Sequence, residues 1–71
     1  MPISLIKQNR IKRGQTLLDV ASAVGTNPGH LSRIENGMSN ASPELAERLA
    51  KHFGYAITEI EILYPERFAD N

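Results

Sequence analysis

The 71-residue chain has no cysteine, no tryptophan and no long apolar run. Without cysteine there is no disulfide framework and no thiolate zinc site, and the chain suits a reducing cytosol. The apolar runs are a few residues long, far below the ~18–20 that span a membrane. Residues 1–14 also lack the apolar stretch of a signal peptide. Charge of one sign is missing too: eight Lys and Arg meet eight Asp and Glu, for a net charge of zero. Duplex-binding domains usually carry a basic excess, so the total argues against nucleic acid. The length allows one small domain over residues 1–71, with a core at about 3–64 and a tail at 65–71. Such a chain buries only about 60% of the surface its unfolded form exposes.

Position changes the charge argument. Residues 1–36 hold Lys7, Arg10, Lys12, Arg13 and Arg33 against Asp19 and Glu35, a net of +3. Residues 37–71 hold Arg48, Lys51 and Arg67 against Glu44, Glu47, Glu59, Glu61, Glu66 and Asp70, a net of −3. A basic half is joined to an acidic one.

Four breaks rich in Gly, Pro, Asn and Ser, at residues 14, 25–29, 37–43 and 54–56, separate segments that read as helices. No segment has the alternation of a strand. Leu17, Val20, Ala21 and Val24 share one helical face, with Thr16 and Asp19 as a capping box and Gly25 as the stop. Leu45, Ala46, Leu49, Ala50 and Phe53 repeat the pattern, with Ser42 as N-cap, Pro43 at N1 and Gly54 past the end. Thr58 and Glu61 box a short last helix, for which Ile60, Leu63 and Tyr64 are expected inside. The first helix is expected over residues 3–13, with Ile3 and Ile6 inward. The third, over residues 27–36, has Asn27 as N-cap and Pro28 at N1. Only Leu31 and Ile34 are apolar along it, so most of its surface is wet or bound to something.

Two charges break these patterns. Glu35 lies four residues after Leu31, and Arg10 four after Ile6, each on a buried face. Either alone is costly inside a small core, whereas a bidentate pair satisfies both. An Arg10–Glu35 bridge between the first and third helices is therefore expected; the alternative is two solvated charges.

Ala21, Gly25, Leu31, Ile34 and the run Arg33-Ile34-Glu35-Asn36-Gly37 together resemble the helix-turn-helix of the phage-repressor and Cro family. Arg10, Gly14, Ser42-Pro43, Leu49-Ala50 and Gly54 extend that resemblance over residues 5–64. It implies an all-α, compact five-helix lambda-repressor-like domain whose third helix enters the DNA major groove. It implies base-reading positions at Asn27, Pro28, Gly29, His30, Ser32 and Arg33, with Arg33 suited to guanine O6 and N7. Phosphate contacts are implied at Thr16, the Leu17 backbone, Asn36, Ser39 and Asn40, with partial help from Arg13. Relatives often carry Gln where this chain has Leu17, with Gln15 a candidate substitute. Relatives also often carry basic residues where residues 38–43 here have no charge. Weaker phosphate binding per protomer is the expected consequence.

Other chemistry finds little support. His30 and His52 lie on different helices without HExxH spacing, so no metal site is expected; His52 reads as solvated and His30 as DNA-facing or capping. No nucleophile elbow, paired-carboxylate cleft or phosphate-binding loop is present, so neither an enzyme nor a cofactor is expected. Tyr55, Ile57, Ile62 and Phe68 are left over from the core stripes. They either finish the core or build a two-fold interface, and the interface is the expectation.

The favoured reading is a cytoplasmic, nucleoid-associated repressor from a bacterium or phage, binding double-stranded DNA as a homodimer on a pseudopalindrome. The alternative is an antitoxin-type interaction module whose acidic C-terminal half, including residues 64–68, holds a protein partner. An activator touching polymerase is not separable from a repressor by sequence.

Overall fold

A computed structural model describes residues 4–64, and these form five α-helices with no strand among them. The helices are α1 (Leu5–Lys12), α2 (Leu17–Val24), α3 (Pro28–Glu35), α4 (Pro43–His52) and α5 (Glu59–Leu63). None exceeds ten residues, a length at which an isolated helix is marginal in water. Each start is therefore fixed locally. Ser4, Thr16, Asn27, Ser42 and Thr58 each accept from the backbone N–H three residues ahead, at the third helical residue. Asp19 and Glu61 close capping boxes on α2 and α5.

The core is the sum of the helices' apolar stripes. Val20, Leu31, Leu49, Phe53 and Ile57 are fully enclosed, with Ile6, Val24, Ala46, Ala50 and Ile62 around them. Ala21 has no exposed surface, and its small side chain lets α3 pack closely across α2. At the turn between these helices Gly25 has φ +79°, and Thr26 N–H bonds Ala21 C=O at 2.9 Å. A side chain at Gly25 would be strained, and its Cβ would lie 3.3 Å from Arg48 Nη1.

The end of the fold differs from the sequence expectation. Ile60 and Tyr64 are exposed at 54% and 45%, and Leu63 is half-buried, whereas Ile62 is buried. In a helix of five residues either phase of apolar spacing fits, so periodicity carries little information. The phase follows instead from Ile57 just before the Thr58 cap and Ile62 four residues into α5, the two positions of a hydrophobic staple. Both are enclosed in the protomer's own core. Their expected place in a two-fold interface is thereby corrected. Ile3 and Phe68 lie outside the described residues. Tyr55 follows Gly54 with a second left-handed φ, +62°. The residue is 61% exposed, and a bulky side chain at such a φ carries about 1–2 kcal/mol of strain.

Arg10 and Glu35 do form a bridge. Arg10 Nε donates to Glu35 Oε2 at 2.8 Å and Nη2 to Oε1 at 3.1 Å. The side chains retain only 12% and 3% exposure. The third guanidinium nitrogen, Nη1, donates to the Gln15 carbonyl at 3.1 Å. Among the described residues no buried side-chain nitrogen or oxygen lacks a partner. Removing one member leaves an uncompensated buried charge, at a cost of about 3–5 kcal/mol. Total stability for a domain of this size is about 4–10 kcal/mol. Arg10→Met or Glu35→Leu alone should therefore come close to unfolding the chain in urea titrations at 25 °C. The double variant should lose less than either single one, the residue of the loss being the abandoned Gln15 carbonyl. Additive losses would contradict this energetic picture.

Candidate nucleic-acid interface

α3 presents two faces of opposite character. Leu31, Ile34 and Glu35 are buried, while Gly29, Arg33 and Asn36, spaced i, i+4 and i+7 on the opposite side, are exposed. Ser32 is half-buried beside them. Asn36 Nδ2 donates to the Ser32 carbonyl at 2.9 Å. Asn27 Oδ1 accepts from His30 N–H at 2.8 Å, so its oxygen serves as the helix cap. Pro28 and His30 are half-buried at the margins. His30 lines an open crevice with Thr26, Ser42, Leu45 and Arg48, and so sits on the α4 side of α3 rather than on its outer stripe.

The arginines separate by partner. Arg10 is spent on Glu35 and Gln15. Arg48 Nη2 pairs with Glu44 Oε1 at 2.6 Å. Arg13 Nη1 donates to the His52 carbonyl at 3.1 Å, and its guanidinium lies 5.3 Å from the Phe53 ring centre. There it caps the carbonyl end of α4, which is away from the phosphate role expected for it. Arg33 alone among the described arginines has a guanidinium with neither an ion pair nor a hydrogen bond within the protomer.

One guanidinium also gathers the candidate phosphate positions. Its partners are Gln15, one residue before Thr16, and Glu35, one residue before Asn36. The start of α2 and the end of α3 are thus held side by side, with exposed Asn40 and half-buried Ser39 just beyond. The first bond within α2 is Val20 N–H to Thr16 C=O. Leu17 and Leu18 N–H therefore precede the helix's own ladder and are open to an acceptor. Asp19 competes at this end. Its carboxylate accepts from Thr16 N–H at 2.9 Å, and the Thr16 backbone and hydroxyl bonds hold its pKa below the usual carboxylate range.

Gln15, considered as a substitute for the missing amide at Leu17, is turned elsewhere. Its Oε1 lies 3.2 Å from His52 Nε2. His52 is accordingly not a solvated side chain: it is half-buried, bonded to Gln15 and set edge-on to Phe53 at 4.9 Å. Sequence reasoning also missed Arg48, which it left in the acidic half. The side chain reaches Gly25 in the α2–α3 turn; the readable signal was only its i, i+4 spacing from Glu44. The described residues contain no group of three or more His, Asp or Glu that could hold a metal. None of the described helices is long and apolar enough to cross a membrane.

An apolar-backed helix on a tight glycine turn, with a polar outer face, is the arrangement of a helix-turn-helix. The helix-turn-helix family model matches residues 6–60, and the chain belongs to that family in its phage-repressor and Cro form. Comparison with curated proteins and with solved structures gave no significant match. The chain is thereby a DNA-binding regulator in the general sense, from a family that is typically non-enzymatic.

The Asp19 box makes a pH prediction. A carboxyl whose folded pKa is lowered contributes stability above its unfolded pKa and loses it as pH falls through the folded value. Thermal unfolding should show Asp19→Asn less stable than the parent at neutral pH. The gap should close as pH drops below the usual carboxylate range. A gap independent of pH would show that the charge on Asp19 does not support α2.

Proposed function

We propose that the protein is a sequence-specific transcriptional repressor that binds a pseudopalindromic operator as a homodimer. The single observation that carries this reading is Arg33, exposed and unpartnered on the outer face of α3. Its guanidinium can donate to guanine O6 and N7 together. Asn27, Gly29 and Ser32 complete the base-facing stripe, with Pro28 and His30 at its edges. Thr16, the Leu17 N–H, Asn36, Ser39 and Asn40 form the phosphate contacts that set register.

Charge supports modest affinity rather than strong sequence-independent binding. Arg10 and Glu35 cancel internally, and Arg13 faces the α4 carbonyl end. Lys7, Lys12 and Arg33 remain on the basic half against Asp19. A protomer with so few free cations covers one half-site, and a second copy supplies the other. With Ile57 and Ile62 buried, the dimer surface we favour consists of Tyr55, Ile60 and Tyr64, all exposed on or near α5. Bound at its operator, such a dimer blocks polymerase. The acidic α4 and α5 surface, with exposed Glu47 and Glu59, supports a second reading in which a protein partner docks there; the two roles are compatible.

Selection from randomised duplexes at several salt concentrations tests the reading. The parent should enrich two symmetric half-sites with a guanine in each. Arg33→Ala should lose that guanine preference, a loss of about 1–3 kcal/mol of discrimination, while leaving the other positions and the salt slope nearly unchanged. A uniform loss across sequences with a shallower salt slope would make Arg33 a phosphate contact instead.

A further inference from the structure

Two hydrogen bonds join segments 37 and 39 residues apart in the chain: Gln15 Oε1 with His52 Nε2 at 3.2 Å, and Arg13 Nη1 with the His52 carbonyl at 3.1 Å. Together they fasten the C-terminal end of α4 to the turn between α1 and α2. The His52 ring also meets Phe53 edge-on at 4.9 Å, and Phe53 is fully enclosed in the core. The imidazole therefore stands on a rigid base. Gln15 Oε1 only accepts, so His52 donates from Nε2.

Gln15 immediately precedes Thr16, the N-cap of α2. Its main chain is held from α1. Gln15 N–H donates to the Arg10 carbonyl at 2.9 Å, and the Gln15 carbonyl accepts from Arg10 Nη1 at 3.1 Å. Both bonds run to one residue, which leaves the segment free to rock about it. The bond from His52 adds a third point from a different helix, and three points fix an orientation. A neutral, half-buried hydrogen bond adds little to stability, so its main effect is on the direction in which the chain enters α2. That direction aims the Leu17 and Leu18 N–H groups, which precede the helix's own ladder.

We propose that His52 is a positioning residue for DNA binding: through Gln15 it aims the first amides of α2 at a backbone phosphate that it does not itself touch. This rests on the α2 start holding a phosphate, as proposed above. Phosphate contacts set register without reading bases, so losing His52 weakens every site alike and leaves the preferred sequence unchanged. Arg13 belongs to the same junction, since its bond to the His52 carbonyl holds the end of α4 from which the ring projects.

Full-length parent, His52→Ala, His52→Gln, Gln15→Ala and the His52→Ala/Gln15→Ala double variant would be compared on the duplex that the parent selects. Thermal unfolding would establish that each is folded at the binding temperature. Phosphates would be replaced singly by neutral methylphosphonates, and the α2 phosphate is the one whose replacement removes the duplex-induced shift of the Leu17 amide. His52→Ala and Gln15→Ala should each bind about tenfold more weakly, the loss of one hydrogen bond to a charged group, with base preference unchanged. Neutralising the α2 phosphate should weaken the parent by a similar factor and hardly affect His52→Ala. His52→Gln, which keeps an N–H donor at similar reach, should restore both affinity and sensitivity at that phosphate. The double variant should bind no more weakly than either single one. Additive losses, or a His52→Ala protein as sensitive as the parent at the α2 phosphate, would overturn the proposal. If the parent is sensitive there, only the role of His52 fails. If no phosphate replacement touches Leu17 in the parent, the phosphate contact at α2 fails with it.

Discussion

The Arg10 guanidinium is the constraint on which the geometry of the interface depends. It spans three segments that are distant in sequence: α1, which carries it, the Gln15 carbonyl ahead of α2, and the Glu35 carboxylate at the end of α3. Gln15 N–H returns a bond to the Arg10 carbonyl at 2.9 Å, and the Gln15 side chain meets His52 on α4. A planar fork with fixed donor directions converts these contacts into an orientation. The start of α2 and the end of α3 cannot slide apart without exposing a buried charge. Both ends of the candidate phosphate clamp therefore sit on one internal ion pair.

The remainder of the fold keeps short helices in place with little core. A side-chain cap satisfies the third amide of every helix, and Phe53, Leu49 and Leu31 supply the central apolar contacts. The polar outer stripe of α3 follows from this economy. Leu31, Ile34 and Glu35 anchor the helix, and Gly29, Arg33 and Asn36 on its other side stay exposed. The charge that totals zero is divided the same way, with Arg10, Arg13 and Arg48 partnered within the protomer and the Arg33 guanidinium not.

Legibility in the sequence followed the length of each signal. α2 and α4 have two turns or more of apolar spacing framed by caps and glycines, and both were readable to their ends. The Arg10–Glu35 pair was readable because each charge occupies an apolar phase of its own helix. α5 was not, because five residues cannot define a phase; the informative feature was the pairing of Ile57 with Ile62 around the Thr58 cap. The bonds of Arg13, Gln15 and His52 left no local trace, since they arise only where the end of α4 approaches the α1–α2 turn. Outer-face residues of α3 could be placed by angle, but the displacement of His30 toward α4 depended on the crevice beside Arg48.

The central claim is that the α2 start and the outer face of α3 form one DNA-binding surface, set by the Arg10 fork. The most direct measurement is an amide NMR titration with a duplex shorter than one helical turn of about 10 base pairs, at low salt, so that only one protomer engages. Shifts should cluster at residues 16–18, 27–33 and 36–40, fade as salt rises, and leave residues 49–63 in place. Shifts centred on α4 and α5, or none at low salt, would contradict it.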